Sequence, residues 1–489
     1  MKTSNSIWAA HPVRTTQPAS GWLPPFTLPL VAIIFFTVGL GPNTDLTIIA
    51  LLILLVGSAL LWRPGEVPIL LFVFVMQWIE ASIAIFYANV RELDIGLLAS
   101  TGADMFNATL LTLLGLLALA SGMRLAAGRS RLSISLLSRD QVMRTPARAW
   151  ILLYVVAFVI SWTAQILATI IPGLSQPFLV LVNLKWAAFV AFTFATFVKP
   201  ESLKFPWFIA FLLELISSVG GYFSSFKFVF IFTFLGIAAS GVRFKAAQIA
   251  GLALVAVAAL SLGVVWTAIK PGYRSFVAGD QKGQMVTVSR TEQVGKLVEL
   301  ATNIDSRQIS DAVHQLILRI SYVEIFGASL DYVPRVIPHA YGEIWLDAIS
   351  RPFMPRILFP SKSAIDESTL TNKYTGLGVA GSEQGTQVSI GYIGEAYIDF
   401  GKFGMMVALF ALGLALGRIH FWLTFGRRSR GIIGMGLSSA ILLPAAGIGN
   451  SSAKMLGALA VSVLVVWLLN RFALPNLLRR LSPALSGSR

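Results

Sequence analysis

Apolar residues in this chain fall in blocks of about 18–24 that alternate with short polar stretches. Wound at 1.5 Å per residue, such a block crosses a hydrocarbon layer of about 30 Å. Lipid offers the backbone no hydrogen-bond partner, so a block of this kind is expected to be a helix, and the two-residue alternation of a membrane β-barrel is absent. The pattern predicts spans near 22–40, 45–62, 67–90, 105–126, 149–171, 178–198, 206–223, 225–242, 246–269, 403–425, 431–449 and 453–472. Residues 270–402 break it. There, Ile309, Val313, Leu316, Ile317 and Ile320 predict an amphipathic helix over 306–326, and a shorter one is expected over 342–350; both suit a membrane surface or a roof over the bundle. Residues 361–389, rich in Ser, Thr and Gly, read as a mobile loop. The expected fold class is all-α: a polytopic integral membrane helical bundle of about twelve transmembrane helices. Its parts are an N-terminal bundle at 1–269, a large, partly helical loop at 270–402, and a C-terminal bundle with tail at 403–489.

Composition agrees with the pattern. The hydrophobic fraction is 56%, the charged fraction is 12% and mean hydropathy is +0.75, more apolar surface than a soluble domain can hide. The net charge of +15 raises nucleic acid as a partner, but its distribution argues against it. Segment 270–402 holds 13 Lys and Arg against 14 Asp and Glu, whereas the remainder holds 25 against 9. The surplus sits in short loops at 124–148, 243–245 and 427–430 and in the C-terminal tail. Counting spans puts all four on one side, which predicts both termini in the cytoplasm of a bacterial inner membrane and 270–402 outside, in the periplasm. The first apolar block lacks a small-residue cleavage site and reads as a retained span. The absence of cysteine excludes disulfides, thiolate metal sites and a Cys nucleophile.

Charges inside spans need a reason, because each is expensive in lipid. Glu80, Lys185 and Glu214 lie deep in apolar blocks and are expected to pair internally, Lys185 with Glu80 or Glu214. Lys227 lies near the end of its block, where it can meet an anionic headgroup. Residues 345–362, WLDAISRPFMPRILFPSK, set Arg351, Arg356 and Lys362 among three prolines that stiffen the backbone. Arg grips phosphate oxygens with a planar fork and Lys adds a point charge. Lys270 and Arg274 stand at the exit of a span, and Arg319 lies in the amphipathic helix. Each cation reads equally as a rim for lipid headgroups or as a salt-bridge partner of the local acids. Glu395, Tyr397 and Asp399 precede the 403–425 span, with Glu395 and Asp399 at i, i+4 on one helix face. They suit sugar hydroxyls or proton transfer, and equally suit helix capping. His339, near Glu343, is a candidate general base; His314 reads as structural. Four scattered histidines build no metal site, so the expected anion partner is held by Arg and Lys.

The stretch RPFMPRILFPSK, followed by SIGYIGEAYIDFGKFG, resembles the Wzy-type polysaccharide polymerases, the O-antigen and exopolysaccharide repeat-unit polymerases. That family sets a Pro-Arg-x-x-x-Pro-x-Lys stretch before Gly-Glu-x-Tyr-x-x-Phe-Gly and a late span. Pro355-Arg356 to Lys362 and Gly394 to Gly401 fit, with Ser363 where proline is common. The resemblance implies a GT-C-like glycosyltransferase needing no metal or other cofactor. Its donor and acceptor would be glycans on undecaprenyl pyrophosphate, with membrane lipid around it and room for a chain-length regulator. It further implies Arg356 and Arg274 on the pyrophosphate, Arg319, Arg351, Lys362 and Lys227 in support, Tyr397 and Asp399 on substrate, and Glu395 or His339 assisting as base. An O-antigen ligase shares this architecture and donor. A flippase would use Glu80, Lys185 and Glu214 for ion coupling, but the long outer segment fits it poorly.

Overall fold

The structure, a computed structural model, describes residues 23–99, 101–128, 134–218, 227–242, 246–279, 288–354, 358–359, 361–363, 365–381, 386–426, 431–482 and 485. Every regular element among them is a helix. In chain order they begin with α1 (Thr27–Ile34), α2 (Thr44–Leu61), α3 (Ile69–Val90), α4 (Met105–Ala126), α5 (Ile134–Arg144), α6 (Ala147–Ile170), α7 (Ser175–Val198), α8 (Pro200–Ser218), α9 (Lys227–Ser240) and α10 (Ala246–Ala278). The segment after 278 holds α11 (Arg290–Thr302), α12 (Ser306–Ile320), α13 (Val323–Tyr332), α14 (Glu343–Ser350) and α15 (Glu367–Thr375). The chain closes with α16 (Tyr392–Phe425), α17 (Ile432–Leu442), α18 (Ser452–Leu468) and α19 (Leu474–Leu481). Among the described residues, seven helical stretches are long and apolar enough to cross a membrane: α2, α3, α4, α6, α7, α16 and the run from Ser452 to Leu481.

Local chemistry sets the ends of these helices. Asp104 caps α4 by accepting the Asn107 N–H at 3.0 Å, so the element spans the 105–126 that hydropathy predicts. α10 runs past residue 269 because Ile269, Tyr273 and Val277 continue a buried stripe at helical spacing. That extension puts Lys270 and Arg274 on one face. The amphipathic stretch expected over 306–326 is two helices: Asp305 and Gln308 form a capping box for α12, and Ser321 turns extended before α13 starts. α16 begins at Tyr392 rather than 403 and kinks at Gly401, whose φ of 67° and ψ of −175° are not helical.

The reading of 361–389 as a mobile loop is corrected for the described part of it. Asp366 caps α15 and Gly376 ends it at φ 68°. Asn372 accepts the Val379 N–H at 2.6 Å and donates to the Val379 carbonyl at 3.0 Å. Ser368 donates to the Ala380 carbonyl, and Thr371 to that of Val388. The Ser, Thr and Asn that suggest a loop are here because each satisfies a backbone group that no sheet or helix would.

The bundle centres on α4 against α16. Their backbones nearly touch: a Cβ at Gly413 would stand 2.1 Å from the Leu119 carbonyl oxygen, and one at Gly417 2.4 Å from that of Met123. In lipid, helices associate through such close small-residue contacts rather than through a hydrophobic drive. Gly413→Leu is therefore expected to lower stability by about 1–3 kcal/mol or more, since backbone cannot move aside as a side chain can. Thermal unfolding of the purified protein in lipid nanodiscs checks this; a variant as stable as the wild type would contradict the packing. Around the pair, Trp186 stacks on Phe232 at 4.9 Å, and α7 carries Lys185, whose ammonium meets Glu214 of α8 at 2.6 Å. Tyr154 of α6 donates to the other oxygen of Glu214 at 3.0 Å. Of the two partners expected for Lys185, the structure selects Glu214.

Candidate functional site

Three cations gather where α10 leaves the apolar blocks. Lys270 and Arg274 lie one turn apart on α10, and Arg319 is on the last turn of α12, which packs against α10. Burial, then the like charges of Arg319 and Arg274, push the Lys270 ammonium down to about 8. Cations held this close repel one another, and an electropositive cluster of this kind suits an anionic ligand. Arg319 is exposed, and Lys270 and Arg274 are partly so. Helical spacing and a tertiary contact thus build a fork-and-ammonium grip suited to a multiply charged anion.

Tyr322 continues the site. It follows α12 directly, and its ring packs so close to Gly449 that a Cβ there would lie 2.5 Å from it. The Ser389 N–H bonds its phenol oxygen. Burial, then the nearby carboxylates of Glu367 and Glu80, raise this phenol, so it stays neutral, while Arg319 acts in the opposite direction. Those carboxylates, with Glu395, surround the turn from Gly447 to Ser452. Glu80 accepts the Ile448 N–H at 2.5 Å. Glu395, buried, accepts the N–H of Ser452 at 2.7 Å and its hydroxyl at 2.5 Å. Glu367 accepts from the Ser451 hydroxyl and the Lys454 ammonium, each at 2.5 Å. The turn opens α18, whose first N–H groups have no partner within the helix, so carboxylates collect there. Lys227 of α9 lies within electrostatic reach of Glu80.

The other nominated residues hold backbone in place. Asp399 accepts from Ile344 and Trp345 at 3.2 and 2.8 Å, capping α14. Tyr397 donates to the Val333 carbonyl at 2.7 Å. The His339 ring packs edge-on to Tyr397 at 5.4 Å, with Nδ1 3.1 Å from the Ile398 carbonyl oxygen. Arg351 pairs with Asp347 at 2.5 Å and donates to the Ser363 carbonyl; Lys362 donates to the carbonyls of Arg351 and Met354 at 2.6 and 3.0 Å. These two cations tie Lys362 and Ser363 back to Arg351 and Met354. Arg356 lies outside the described residues. His314, read as structural, meets the Tyr87 hydroxyl at 2.9 Å and ties α12 to α3. The structure therefore brings Arg274 and Arg319 together with Lys270, and adds Tyr322 and Glu367, which sequence reasoning missed. The one available signal was Gly447-Ile448-Gly449-Asn450-Ser451-Ser452, a polar turn inside an apolar region. Among the described residues, no group of three or more His, Asp or Glu is placed to hold a metal ion.

Residues 83–422 match the family described as a domain of unknown function (DUF8712), so the chain belongs to that family. No curated protein and no solved structure matches the chain.

Proposed function

We propose that this protein is a membrane glycosyltransferase that polymerises oligosaccharide repeat units carried on undecaprenyl pyrophosphate. The reading takes the bundle as about twelve spans with both termini in the cytoplasm and 270–402 on the periplasmic face of the inner membrane. The observation that carries it is the gathering of Lys270, Arg274 and Arg319 at the end of α10. On this reading a lipid-borne diphosphate sits at the end of α10, and three clustered cations suit it.

In the transfer, the acceptor hydroxyl attacks the anomeric carbon of the donor. The bond from that carbon to the diphosphate oxygen breaks, and its electron pair leaves with the lipid diphosphate. The hydroxyl proton passes to a base or to water. Charge grows on the departing diphosphate, where preorganised guanidinium groups stabilise it more than the ground state. Tyr322 lies within electrostatic reach of Arg319, Glu80 and Glu367, and its neutral phenol is a polar partner for an acceptor sugar. The resemblance of Pro355-Arg356 to Lys362 implies a role on the diphosphate for Arg356 as well.

The Lys270 ammonium gives the site a pH signature. A bound diphosphate favours the charged ammonium, so it raises the pKa above about 8. Affinity is then highest below pH 8 and falls as pH rises through that value and the free protein loses the proton. Isothermal titration with inorganic pyrophosphate from pH 6.5 to 9.5 is expected to show this fall, and Lys270→Met to weaken binding and flatten the profile. A wild-type profile flat across that range would count against the grip. The direct test of the function is to incubate purified protein with a lipid-linked repeat unit without added metal. A ladder of longer glycans supports polymerisation; unchanged substrate with well-folded protein refutes it.

A further inference from the structure

α14 is fastened to α16. Asp399 caps it, the Ala340 N–H donates to the Ile398 carbonyl at 2.9 Å, and Trp345 packs edge-on to Phe400 at 6.2 Å. Residues 398–400 form the last turn of α16 before the Gly401 kink. Beyond it α16 continues as an apolar helix, on which Phe403, 83% exposed, and Val407 share an outward face. α14 also packs along α18. It thus lies beside the ends of two helical stretches that are long and apolar enough to cross a membrane.

The outward face of α14 and the turn after it is apolar. Leu346, Ile349 and Phe353 follow at i, i+3 and i+7 and are 69%, 51% and 77% exposed. Trp345 and Ala348 face inward. Of the two acids on the helix, Asp347 is neutralised by Arg351. Leu358, 71% exposed, and Phe359 extend the apolar surface. A contiguous apolar stripe of this kind marks an interaction surface.

We propose that α14 and its following turn form an interfacial anchor, with Leu346, Ile349 and Phe353 seated among lipid acyl chains. The occupant is phospholipid because α14 packs on α16, through Trp345 against Phe400 three residues before the exposed Phe403, and on α18, and both helical stretches are long and apolar enough to cross a membrane. Exposed Lys402, two residues after Phe400 in the chain, is a cation suited to a headgroup phosphate. The anchor would hold Arg351 and Lys362 at headgroup depth.

The chain has no cysteine, so single labels are unambiguous. Ile349→Cys and Phe353→Cys, with Lys373→Cys on α15 as the aqueous reference, are labelled with a nitroxide in nanodiscs of phosphatidylethanolamine and phosphatidylglycerol. Collision with oxygen relative to a water-soluble nickel chelate is expected to be several-fold higher at 349 and 353 than at 373. Free access of the chelate to 349 and 353 overturns the proposal. So does exclusion of both reagents: with dipolar broadening it assigns the face to a second copy of the chain, and without broadening to another protein surface. Either label alone decides the matter if one variant does not fold.

Discussion

Replacing Arg319 with alanine is expected to lower polymer formation about a hundredfold or more, the scale seen when one preorganised donor is lost from a developing anion. The loss should fall on kcat more than on KM, because charge builds on the diphosphate as the glycosyl bond breaks. Arg274→Ala is expected to act in the same direction. Arg319→Lys should recover part of the rate, since a point charge remains while the fork is lost. Arg319 is exposed on the last turn of α12 and caps nothing in the bundle interior, so its removal should leave unfolding temperature nearly unchanged. The measurement is the rate of glycan elongation from a lipid-linked repeat unit, alongside thermal unfolding of the same preparations. Rates within about twofold of wild type for folded Arg274→Ala and Arg319→Ala proteins would remove the basis of the proposed function.

The second large effect concerns stability. Lys185→Ala leaves Glu214, which has no exposed surface, with the Tyr154 hydroxyl as its remaining side-chain partner. Removing one member of a buried pair costs about 3–5 kcal/mol, because the other charge stays desolvated without its counter-ion. Replacing both, as Lys185→Met with Glu214→Leu, should recover most of that loss, since an apolar pair of similar size has no desolvation penalty. Unfolding in nanodiscs reports both variants. The double variant also separates two roles for the pair: a folded double variant that polymerises normally assigns it to bundle stability, and one that folds but is inactive assigns it to function. A single Lys185→Ala variant as stable as wild type would show that the pair contributes nothing.

Much of the fold was legible along the chain. The ends of α4 follow from hydropathy and an Asp cap, and α14 falls where a short amphipathic helix is expected. α10 was cut short because Lys270 and Pro271 look like the end of an apolar block, whereas Tyr273 and Val277 carry its buried stripe onward. Segment 361–389 reads as a loop because Ser, Thr and Asn favour loops by composition, yet in its described part the same side chains fasten a compact turn where carbonyls and N–H groups lie opposite them. The candidate site was legible in part. Arg274 and Arg319 could be nominated as cations, but their meeting depends on α10 packing against α12. Glu395 and Asp399 share a helix face as their spacing requires. That one caps α14 and the other holds the start of α18 is decided by where those helices end in space.

The sequence by itself determined that this is a helical membrane protein with one long charged insertion, because hydropathy and helical period are local properties that act through neighbours one turn away. Only the tertiary structure decided that Lys185 faces Glu214, that Tyr322 comes within electrostatic reach of Arg319 and two carboxylates, and that Lys270 joins two arginines. Those relations join residues far apart in the chain, and they are fixed by side-chain packing and backbone contact between helices, which no period along the sequence encodes.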